Sequence, residues 1–339
     1  MPALKVAEHM SGRGHRVVFM GDVRDFSSLV EKGGIPCYPL DVCGLSARSL
    51  KTIGVWFFKM ILAVRTARRL LKELNPAVVA GFGGYGSAPV VLAAISRRIP
   101  TLIHEQNVLP GRATKALSRW VTKVAVSFEE TRRYLKSAAV VTGCPAHGPR
   151  DHGDRKQILA GFGLDEGVYT ILVLGGSQGS QAINSAWLKS VSLLKERMDF
   201  QVIHLAGPKN YERVNEEYGR MRLRACVLPF LEDMPSAYSV ADMAVSRAGA
   251  VSVTELSLFG VPAILIPYPH AGGHQKENAA VLVKQGLGVM IEESRVSPEV
   301  LMAAVEKIKM AGEAPRPWGA EGGREAGARL AEEILELTK

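Results

Sequence analysis

Short apolar segments alternate with longer helical patterns along nearly the whole chain, and this alternation restricts the possible folds most. Buried parallel strands need a crossover, usually a helix, between them, so the pattern is typical of βαβ units. The strands form two series on either side of a linker at 143–154 that is rich in Gly, Pro and His. The predicted strands are 16–21, 77–82, 101–105 and 123–127, and then 170–176, 200–207, 241–246 and 262–267. The sequence therefore predicts an α/β protein with two doubly wound, Rossmann-like domains facing a cleft.

The length of the chain agrees with two domains. At about 100–200 residues per domain, 339 residues are enough for two separate cores. We predict an N-terminal domain at 1–145, a C-terminal domain at 146–320 and a final helix within 321–339. That helix is able to pack on either domain, including back on the N-terminal one. The segment 312–324 is predicted to be a mobile loop.

Positive charge is concentrated in the first half of the chain. The net charge is +9, but residues 1–145 contain 21 basic and 9 acidic residues, whereas residues 146–339 contain 21 and 24. The segment 44–72 contains seven basic residues and no acidic one. Such a field attracts a polyanion: nucleic acid, anionic lipid or a phosphorylated substrate.

The segment 48–72 helps to choose among these partners. At 100° per residue, one helix face is predicted to pack into the core: Trp56, Phe57, Met60, Val64 and Leu71. The opposite face is basic: Lys51, Arg65, Arg68, Arg69 and Lys72. Val55, Phe58 and Leu62 fall among these basic residues, which favours contact with an anionic membrane surface over nucleic acid. A surface helix with a few exposed apolar residues is the alternative.

Several classes of protein are excluded or disfavoured. No apolar run reaches the roughly 18–20 residues needed to span a bilayer, and no signal peptide is visible. The four cysteines match no metal or redox spacing, which favours free thiols in a reducing cytosol. Aromatic residues are not interleaved with the basic ones, so a nucleic-acid partner is not expected.

Three glycine-containing turns follow strands and precede helical patterns: 81–87, 175–184 and 246–260. Glycines let backbone N–H groups approach a ligand, and a helix N-terminus favours an anion. None has the Walker A spacing, and two lie in one domain, so they suit a pyrophosphate held without a dedicated metal site. Arg247 adds positive charge, and Ser177 supplies a hydroxyl. Glu255 is equally suited to holding a ribose diol or to stabilising the helix as a surface carboxylate.

Two further polar segments lie where strands are predicted to end. His104, Glu105 and Asn107 belong to HEQN at 104–107, where His104 beside Glu105 is a candidate general base. A histidine satisfied by backbone hydrogen bonds is an equal alternative. The loop 270–279 places Gln275 and Asn278 at a helix start, where amides suit sugar hydroxyls. His270 and His274 are four residues apart in this loop, but no third metal ligand accompanies them, so we expect no metal there. We also expect no cofactor.

Seven strings in this order and spacing are highly specific together: PALKVAE, GFGGYGSAP, HEQNVLPG, VTGCP, GGSQGS, SRAGAVSVTE and HQKENA. With them, the chain resembles the MurG family from residue 2 to about 290. These are the UDP-N-acetylglucosamine–N-acetylmuramyl-(pentapeptide) pyrophosphoryl-undecaprenol N-acetylglucosamine transferases of peptidoglycan synthesis. The resemblance implies a two-domain GT-B fold and an inverting, metal-independent glycosyl transfer. It also implies a peripheral protein on the cytoplasmic face of the cell membrane.

The resemblance also implies roles for individual residues. UDP-N-acetylglucosamine would contact the second domain, with uracil at the backbone of Leu231, ribose at Glu255 and sugar hydroxyls at Gln275. The pyrophosphate would meet Ser177 and the turn formed by Ala250, Val251, Ser252, Val253 and Thr254. Asn107, Tyr85, His104 and Glu105 would line the cleft beside a lipid-linked muramyl-pentapeptide acceptor. Asn184 and Asn278 match positions that look important for activity, and other cell-wall synthesis proteins are conceivable partners.

Two departures from the family pattern matter. The family begins with a strand and a GGTGGHxxPA turn whose His is a favoured base, and this sequence starts at the Pro-Ala of that turn. We expect a misplaced start in preference to a shortened gene, and little transferase activity from the 339-residue chain expressed alone. The second departure is His147, which stands where the family usually has Arg; Arg150 is a possible substitute.

Two alternative functions remain open from the sequence. One is another GT-B sugar-nucleotide enzyme, such as a glycolipid synthase or a nucleotide-sugar epimerase. The other is a non-catalytic protein that keeps the UDP-sugar site without its base. HEQN together with GGSQGS argues against the first, and binding of the donor without turnover would identify the second.

Overall fold

The computed structural model describes residues 2–21, 34–42, 50–149, 154–176, 178–312 and 322–339. Ser177 and Arg150 lie outside these ranges. The chain divides into two compact units, the first formed by Met1–Ala146 with Arg324–Lys339 and the second by His147–Gly323. Both units are α/β with parallel strands, in agreement with the predicted fold class.

Up to its boundary at Ala146, the first unit contains six short strands and five helices among the residues described. Its strands are β1 (Phe19–Gly21), β2 (Cys37–Pro39), β3 (Val79–Gly81), β4 (Thr101–Glu105), β5 (Lys123–Val126) and β6 (Val140–Val141). Its helices are α1 (Pro2–Gly12), α2 (Leu50–Leu74), α3 (Gly84–Ser96) and α4 (Arg112–Leu117), with a 3-10 helix at Glu129–Tyr134. The described strands form two parallel sheets, β1-β2 and β3-β4-β5-β6, where the sequence predicted one doubly wound sheet.

The second unit has a single six-stranded parallel sheet in the order β12-β11-β10-β7-β8-β9. Its strands are β7 (Thr170–Leu174), β8 (Gln201–Leu205), β9 (Ala225–Leu228), β10 (Met243–Ser246), β11 (Ala263–Leu265) and β12 (Gly288–Met290). Its helices are α5 (Arg155–Gly161), α6 (Gln181–Lys195), α7 (Tyr211–Met221), α8 (Met234–Val240), α9 (Ala250–Phe259), α10 (His274–Lys284) and α11 (Pro298–Met310), with a 3-10 turn at Glu293–Arg295.

The strand order of the second unit has a functional consequence. The chain runs outward from β7 through β8 to β9, and then returns to the other side of β7 with β10, β11 and β12. The strand order therefore reverses between β7 and β10. In open α/β sheets, ligands bind beyond the carboxyl ends of the strands at such a reversal. The turns that follow β7 and β10 are consequently the first place to look for a site.

Burial explains why these strands are almost continuously apolar. Every residue of β7 and β8 is buried, because helices cover both faces of the sheet. Two apolar clusters flank it, one containing Ile171, Trp187 and Leu301, the other Leu172, Leu256 and Leu282. Strands β2, β6, β9 and β12 were not predicted from the sequence. They have two to four residues each, too few to show a pattern.

Helix α2 agrees with the predicted position but not fully with the predicted face. Ala63, Ala67 and Leu71 form its buried stripe, and Trp56, Met60 and Val64 are partly buried. Phe57 was predicted to pack into the core, and this prediction was wrong because its side chain is 60% exposed. In the part of the chain that the structure describes, no helix is long and apolar enough to cross a membrane.

The last helix, α12 (Gly322–Glu336), packs within the first unit. Leu330, Ala331 and Ile334 are buried in a cluster with Leu102 of β4 and Ala125 of β5. Lys123 of β5 adds two ion pairs to α12. Its Nζ lies 2.5 Å from Glu333 Oε2 and 2.8 Å from Glu336 Oε2. Residues at the end of the chain therefore complete the core formed near its beginning.

Leu330→Ala should lower the free energy of unfolding by about 2–5 kcal/mol, since it removes a fully buried side chain and leaves a cavity. Urea denaturation measures this loss. The exposed neighbour Glu332 provides a control, and Glu332→Ala should change stability by no more than about 0.5 kcal/mol. Equal stability of the two variants would contradict the packing of α12 in this core.

Candidate functional site

Two turns pack against each other beyond the carboxyl ends of β7 and β8. A Cβ on Gly179 would lie 2.2 Å from the carbonyl oxygen of Ala206, and Gly179 has a φ of +72°. A Cβ on Gly207 would likewise lie 2.4 Å from the carbonyl oxygen of Gln178. Both positions therefore require glycine. The close contact fixes residues 178–180 next to the N-terminus of α6.

A buried chain of hydrogen bonds supports these turns. Trp187 Nε1 donates to the Tyr218 hydroxyl at 2.7 Å, and that hydroxyl lies 2.9 Å from His204 Nδ1. His204 Nε2 is 3.1 Å from Asn184 Oδ1, and Asn184 Nδ2 donates to the carbonyl of Ala206 at 2.9 Å. One histidine tautomer, protonated on Nε2, satisfies every member. Asn184 thus holds the 206–207 turn from inside the protein.

The N-terminus of α9 is an uncapped source of backbone N–H groups. Gly249 precedes the helix without a side-chain cap, and the first turn contains no acidic residue. The N–H groups of Ala250, Val251 and Ser252 have no intrahelical acceptor, because an α-helix leaves its first N–H groups unpaired. Together with the helix dipole, they favour an anion at this point. The Val253 N–H instead donates to the carbonyl of Gly249, and the Thr254 hydroxyl donates to the carbonyl of Ala250.

Arg247 lies between β10 and α9, three residues before Ala250 in the chain. It is 8% exposed. Its Nη1 donates to the carbonyl of Ile266 at 3.1 Å, and its Nη2 donates to Ser180 Oγ at 2.8 Å. The guanidinium carbon also lies 5.3 Å from the centre of the Tyr268 ring. Arg247 therefore connects the ends of β10 and β11 with the start of α6.

Gln275 and Asn278 hold the backbone around Arg247 in place. Gln275 Oε1 accepts hydrogen bonds from the backbone N–H groups of Ala248 and Tyr268, at 3.2 and 2.9 Å. Asn278 is completely buried, and its Nδ2 donates to the carbonyl of Ala248 at 3.1 Å. These contacts consume Gln275 Oε1 but leave its NH₂ group without a protein acceptor among the described residues. That group is able to donate to a ligand.

Glu255 is buried one turn into α9, so the alternative of a surface carboxylate was wrong. Its Oε1 lies 3.2 Å from both the backbone nitrogen and Nδ1 of His147. Burial and the neighbouring Glu255 carboxylate raise the pKa of the Tyr238 hydroxyl well above its ordinary value. Leu231 is half-buried in the loop between β9 and α8. It packs against the apolar cluster that contains Leu172, Leu256 and Leu282. The structure thus brings His147 to Glu255, a pairing that the sequence did not suggest.

In the first unit, Glu105 organises the loop that follows β4. It is 2% exposed, and its Oε1 accepts from the backbone and side-chain nitrogens of Asn107 at 3.1 and 3.2 Å. Its Oε2 accepts from the backbone nitrogen of Gly111 at 3.0 Å. The carboxylate therefore fixes the position of Asn107. The proposed catalytic role of Glu105 stays a prediction.

His104 is completely buried at the end of β4. Burial lowers its pKa to about 4, against the opposing effects of a hydrogen bond to Gly143 and the charge of Glu105. Its Nε2 lies 3.1 Å from the carbonyl of Gly143, and its Nδ1 accepts from Gln106 Nε2 at 3.1 Å. This is the backbone-satisfied histidine that the sequence left as an alternative. A catalytic role for His104 stays a prediction.

Tyr85 lies in the first turn of α3, and its ring is 42% exposed. The preceding Gly83 has a φ of +72°, and a Cβ there would lie 3.1 Å from Gln106 Oε1. Ser87 Oγ donates back to the carbonyl of Gly83 at 2.6 Å. Tyr85 is therefore presented to solvent on a turn packed beside the loop that carries Asn107.

Three residues that contact Arg247 were not among the site residues predicted from the sequence. Ser180, Tyr268 and Glu293 all contact Arg247, although they lie far from it in the chain. Ser180 was detectable as a helix cap, since its hydroxyl accepts from the Ile183 N–H. The two others have no local pattern. Among the described residues there is no cluster of three or more His, Cys, Asp or Glu able to hold a metal.

Both halves of the chain match models of one enzyme family. The model described as the glycosyltransferase family 28 N-terminal domain matches residues 1–126. The model described as the glycosyltransferase family 28 C-terminal domain matches residues 170–334.

Relatives of known name cover nearly the whole chain. The UDP-N-acetylglucosamine--N-acetylmuramyl-(pentapeptide) pyrophosphoryl-undecaprenol N-acetylglucosamine transferase of Halothermothrix orenii is 36% identical over 323 residues, 91% of this chain and 86% of the relative. The relative with the same name from Chlorobaculum tepidum is 40% identical over 307 residues, 87% of this chain and 82% of the relative.

Solved structures also resemble the chain over nearly its whole length. Acinetobacter baumannii MurG matches with a TM-score of 0.74 and 29% identity, covering 99% of this chain and 95% of that one. The UDP-GlcNAc 2-epimerase of Neisseria meningitidis, bound to UDP-GlcNAc, matches with a TM-score of 0.67 at 14% identity and covers 99% and 98%. The second likeness concerns the fold alone, which is the two-domain GT-B arrangement of α/β units with parallel sheets.

The two buried histidines should make the protein sensitive to acid. Burial lowers the pKa of His204 to about 3 and that of His104 to about 4, both below the ordinary 6.5. Between those values and 6.5, the unfolded chain binds protons that the folded protein excludes. The free energy of unfolding should therefore fall as the pH drops below about 6.5, by about 1.4 kcal/mol per pH unit for each histidine.

Urea unfolding between pH 7 and pH 4.5 measures this dependence. His204→Gln should flatten the slope because it removes one of the two titrating groups. His270 is exposed, so His270→Gln should leave the slope unchanged. Identical slopes for His204→Gln and the unmodified protein would contradict the burial of a neutral His204.

Proposed function

Since the chain belongs to the MurG family within glycosyltransferase family 28, we propose that it transfers N-acetylglucosamine from UDP-N-acetylglucosamine to a lipid-linked acceptor. The acceptor is undecaprenyl-pyrophosphoryl-N-acetylmuramyl-pentapeptide, and the reaction belongs to peptidoglycan synthesis. The relatives' names supply this substrate pair. The observation that supports it most in this chain is the anion site of the second unit. There the N-terminus of α9, Arg247 and the glycine turn after β7 meet at the reversal of strand order.

The donor diphosphate fits this anion site. It carries charge on several oxygens, which matches N–H groups at Ala250, Val251 and Ser252 better than a single carboxylate would. Arg247, three residues before Ala250 in the chain, supplies a full positive charge, and Ser177 is proposed as a hydroxyl donor from the glycine turn after β7. This arrangement stabilises UDP as it departs, with the same dipoles and charge that bound it in the donor.

The remaining parts of the donor suit the surrounding residues. The free NH₂ group of Gln275 is able to donate to sugar hydroxyls while its Oε1 keeps the local backbone in place. Glu255, fixed by His147, offers a second carboxylate oxygen to the ribose diol. The backbone of Leu231 is proposed for uracil. Asn184 and Asn278 act from inside the protein, because both are fully buried and bind backbone carbonyls.

The chemistry is a displacement at the sugar's anomeric carbon. The acceptor's 4-hydroxyl oxygen forms the new bond to C1, the bond from C1 to the UDP oxygen breaks, and the hydroxyl proton passes to a base. The configuration at C1 inverts. His104, Glu105 and Tyr85 remain our proposals beside the acceptor. Tyr85 is the exposed member of the three, whereas His104 and Glu105 are buried and shape the loop that presents Asn107.

Helix α2 is proposed to contact an anionic membrane surface, on the cytoplasmic face where the acceptor lies. Six large apolar side chains are exposed on it: Ile53, Val55, Phe57, Phe58, Ile61 and Leu62. Basic side chains follow on the same helix: Arg65, Arg68, Arg69 and Lys72. Apolar insertion combined with attraction to anionic lipids is how interfacial helices bind. The exposure of Phe57 enlarges the apolar surface beyond what the sequence predicted.

Gln275→Glu tests the donor assignment in protein purified from the cell that makes it. The substitution keeps the oxygen that accepts from Ala248 and Tyr268, but replaces the NH₂ donor by a carboxylate oxygen. The added charge should weaken the binding of UDP and of UDP-N-acetylglucosamine alike, so the affinity for UDP-N-acetylglucosamine divided by the affinity for UDP isolates the sugar contact. That ratio should fall about tenfold, corresponding to one lost hydrogen bond.

Transfer of labelled N-acetylglucosamine to the lipid acceptor is measured alongside. Gln285→Glu is the matched control, since Gln285 lies after the same helix and bonds Ser257; its affinity ratio should stay unchanged. Consumption of UDP-N-acetylglucosamine without formation of a glycosylated lipid would contradict the proposed function.

The membrane proposal is tested with Phe57→Ser combined with Phe58→Ser. Binding to vesicles containing an anionic phospholipid should weaken at least tenfold, because each buried phenyl ring contributes about 1.5–3 kcal/mol. Vesicle flotation measures binding, and added salt should weaken what remains. Phe230→Ser, at a half-exposed site in the second unit, should have no effect. Equal losses from both changes would contradict a contact specific to α2.

A further inference from the structure

Arg247 has an anionic partner within the chain itself. Glu293, in the 3-10 turn after β12, forms an ion pair with Arg247 Nη2. The two side chains are 10% and 27% exposed for Arg247 and Glu293, respectively. Glu293 Oε2 itself is buried and makes no hydrogen bond besides this ion-pair contact. The carboxylate is thus seated on the guanidinium proposed to receive the donor diphosphate.

A buried guanidinium requires such a partner. Removing a charged group from water costs several kcal/mol unless an opposite charge compensates it. The neutral contacts of Arg247, to Ser180 and to the carbonyl of Ile266, orient the group without cancelling its charge. Glu293 supplies the missing negative charge.

The same position suits a diphosphate, and two anions cannot share it without repulsion. Nη1 is already committed to Ile266, whereas Nη2 faces Glu293. Like charges a few Å apart in a partly buried site repel each other, because little water screens them. Glu293 is partly exposed and lies on a short turn, so its carboxylate is able to swing into water when another anion arrives.

We infer that Glu293 is a resident counter-ion that the donor diphosphate displaces from Arg247, and that this competition sets the affinity for UDP and UDP-N-acetylglucosamine. The inference rests on the proposed function. Displacement costs part of the binding free energy of the donor. After transfer, the return of Glu293 to Arg247 favours release of the product UDP. Glu293 is therefore an affinity-determining residue that lies outside the donor contacts themselves.

The other charged groups near Glu293 do not take over its role. Glu292 and Lys276 pair with each other at 2.9 Å on the outside of the same loop. Arg295 lowers the pKa of Glu292 further, after the larger contributions from Lys276. These groups balance locally, which leaves Glu293 as the anion directed at Arg247 among the described residues.

Glu293→Gln is the direct test, with UDP binding to the full chain measured by titration calorimetry at fixed ionic strength. The affinity for UDP should increase about tenfold, because the competing charge is removed while the shape is kept. Glu306→Gln is the control for net charge, since Glu306 lies on α11 near Arg197; its UDP affinity should stay within about twofold. Glu293→Asp has a shorter side chain, which withdraws the carboxylate from Arg247, so the affinity for UDP should increase by less than in Glu293→Gln. This variant provides a second test if Glu293→Gln folds poorly.

The coupling to Arg247 is tested by a double-mutant cycle. In an Arg247→Gln background, Glu293→Gln should no longer strengthen UDP binding, since its effect acts through that guanidinium. The thermal shift produced by UDP should also be larger in Glu293→Gln than in the unmodified protein.

The outcomes separate the inference from the proposed function. Unmodified protein that binds UDP as tightly as Glu293→Gln does would overturn the inference alone. An undiminished effect of Glu293→Gln in the Arg247→Gln background would also overturn it. Failure of the unmodified protein to bind UDP at all would overturn the proposed donor site, and the inference with it.

Discussion

Arg247 carries a positive charge where water reaches little of it, and the functional edge of the second unit is organised around that charge. Its guanidinium is held by Ser180, Ile266 and Glu293, which come from three different elements. The backbone beside it is fixed by Gln275 and Asn278 from α10. A cation and a helix N-terminus are thereby preorganised at one point of the sheet, so that binding an anion requires little rearrangement.

Buried neutral histidines perform a similar supporting task in both units. His204 joins Trp187, Tyr218 and Asn184 in one series of hydrogen bonds, which ends at the turn after β8. His104 fixes the end of β4 to the carbonyl of Gly143. In each case burial keeps the imidazole neutral near physiological pH, because the charged form would lose its solvation. The polar residues at the strand ends therefore include an inner set that holds the turns, and the remaining ones are those we propose as ligand contacts.

Much of this arrangement could be predicted from the sequence, and the exceptions have physical reasons. The glycine turns and the helix start at Ala250 carry local signals, since backbone conformation and capping depend on neighbouring residues. The pairing of Arg247 with Glu293 has no local signal, because β12 brings together residues distant in the chain. Phe57 was assigned to the core face of α2 because the helical period of 100° per residue places it with Trp56 and Met60, but the small side chains of Ala63 and Ala67 are the centre of the buried face. Strands as short as β6 were missed because two residues show no alternation.

The central claim is that the second unit seats a donor diphosphate at the N-terminus of α9 beside Arg247. A crystal structure of the protein with UDP-N-acetylglucosamine tests it most directly. The account predicts phosphate oxygens within hydrogen-bond distance of the backbone nitrogens of Val251 and Ser252, with the uracil toward Leu231. A diphosphate bound away from this helix end, with Arg247 contacting no part of the ligand, would contradict it.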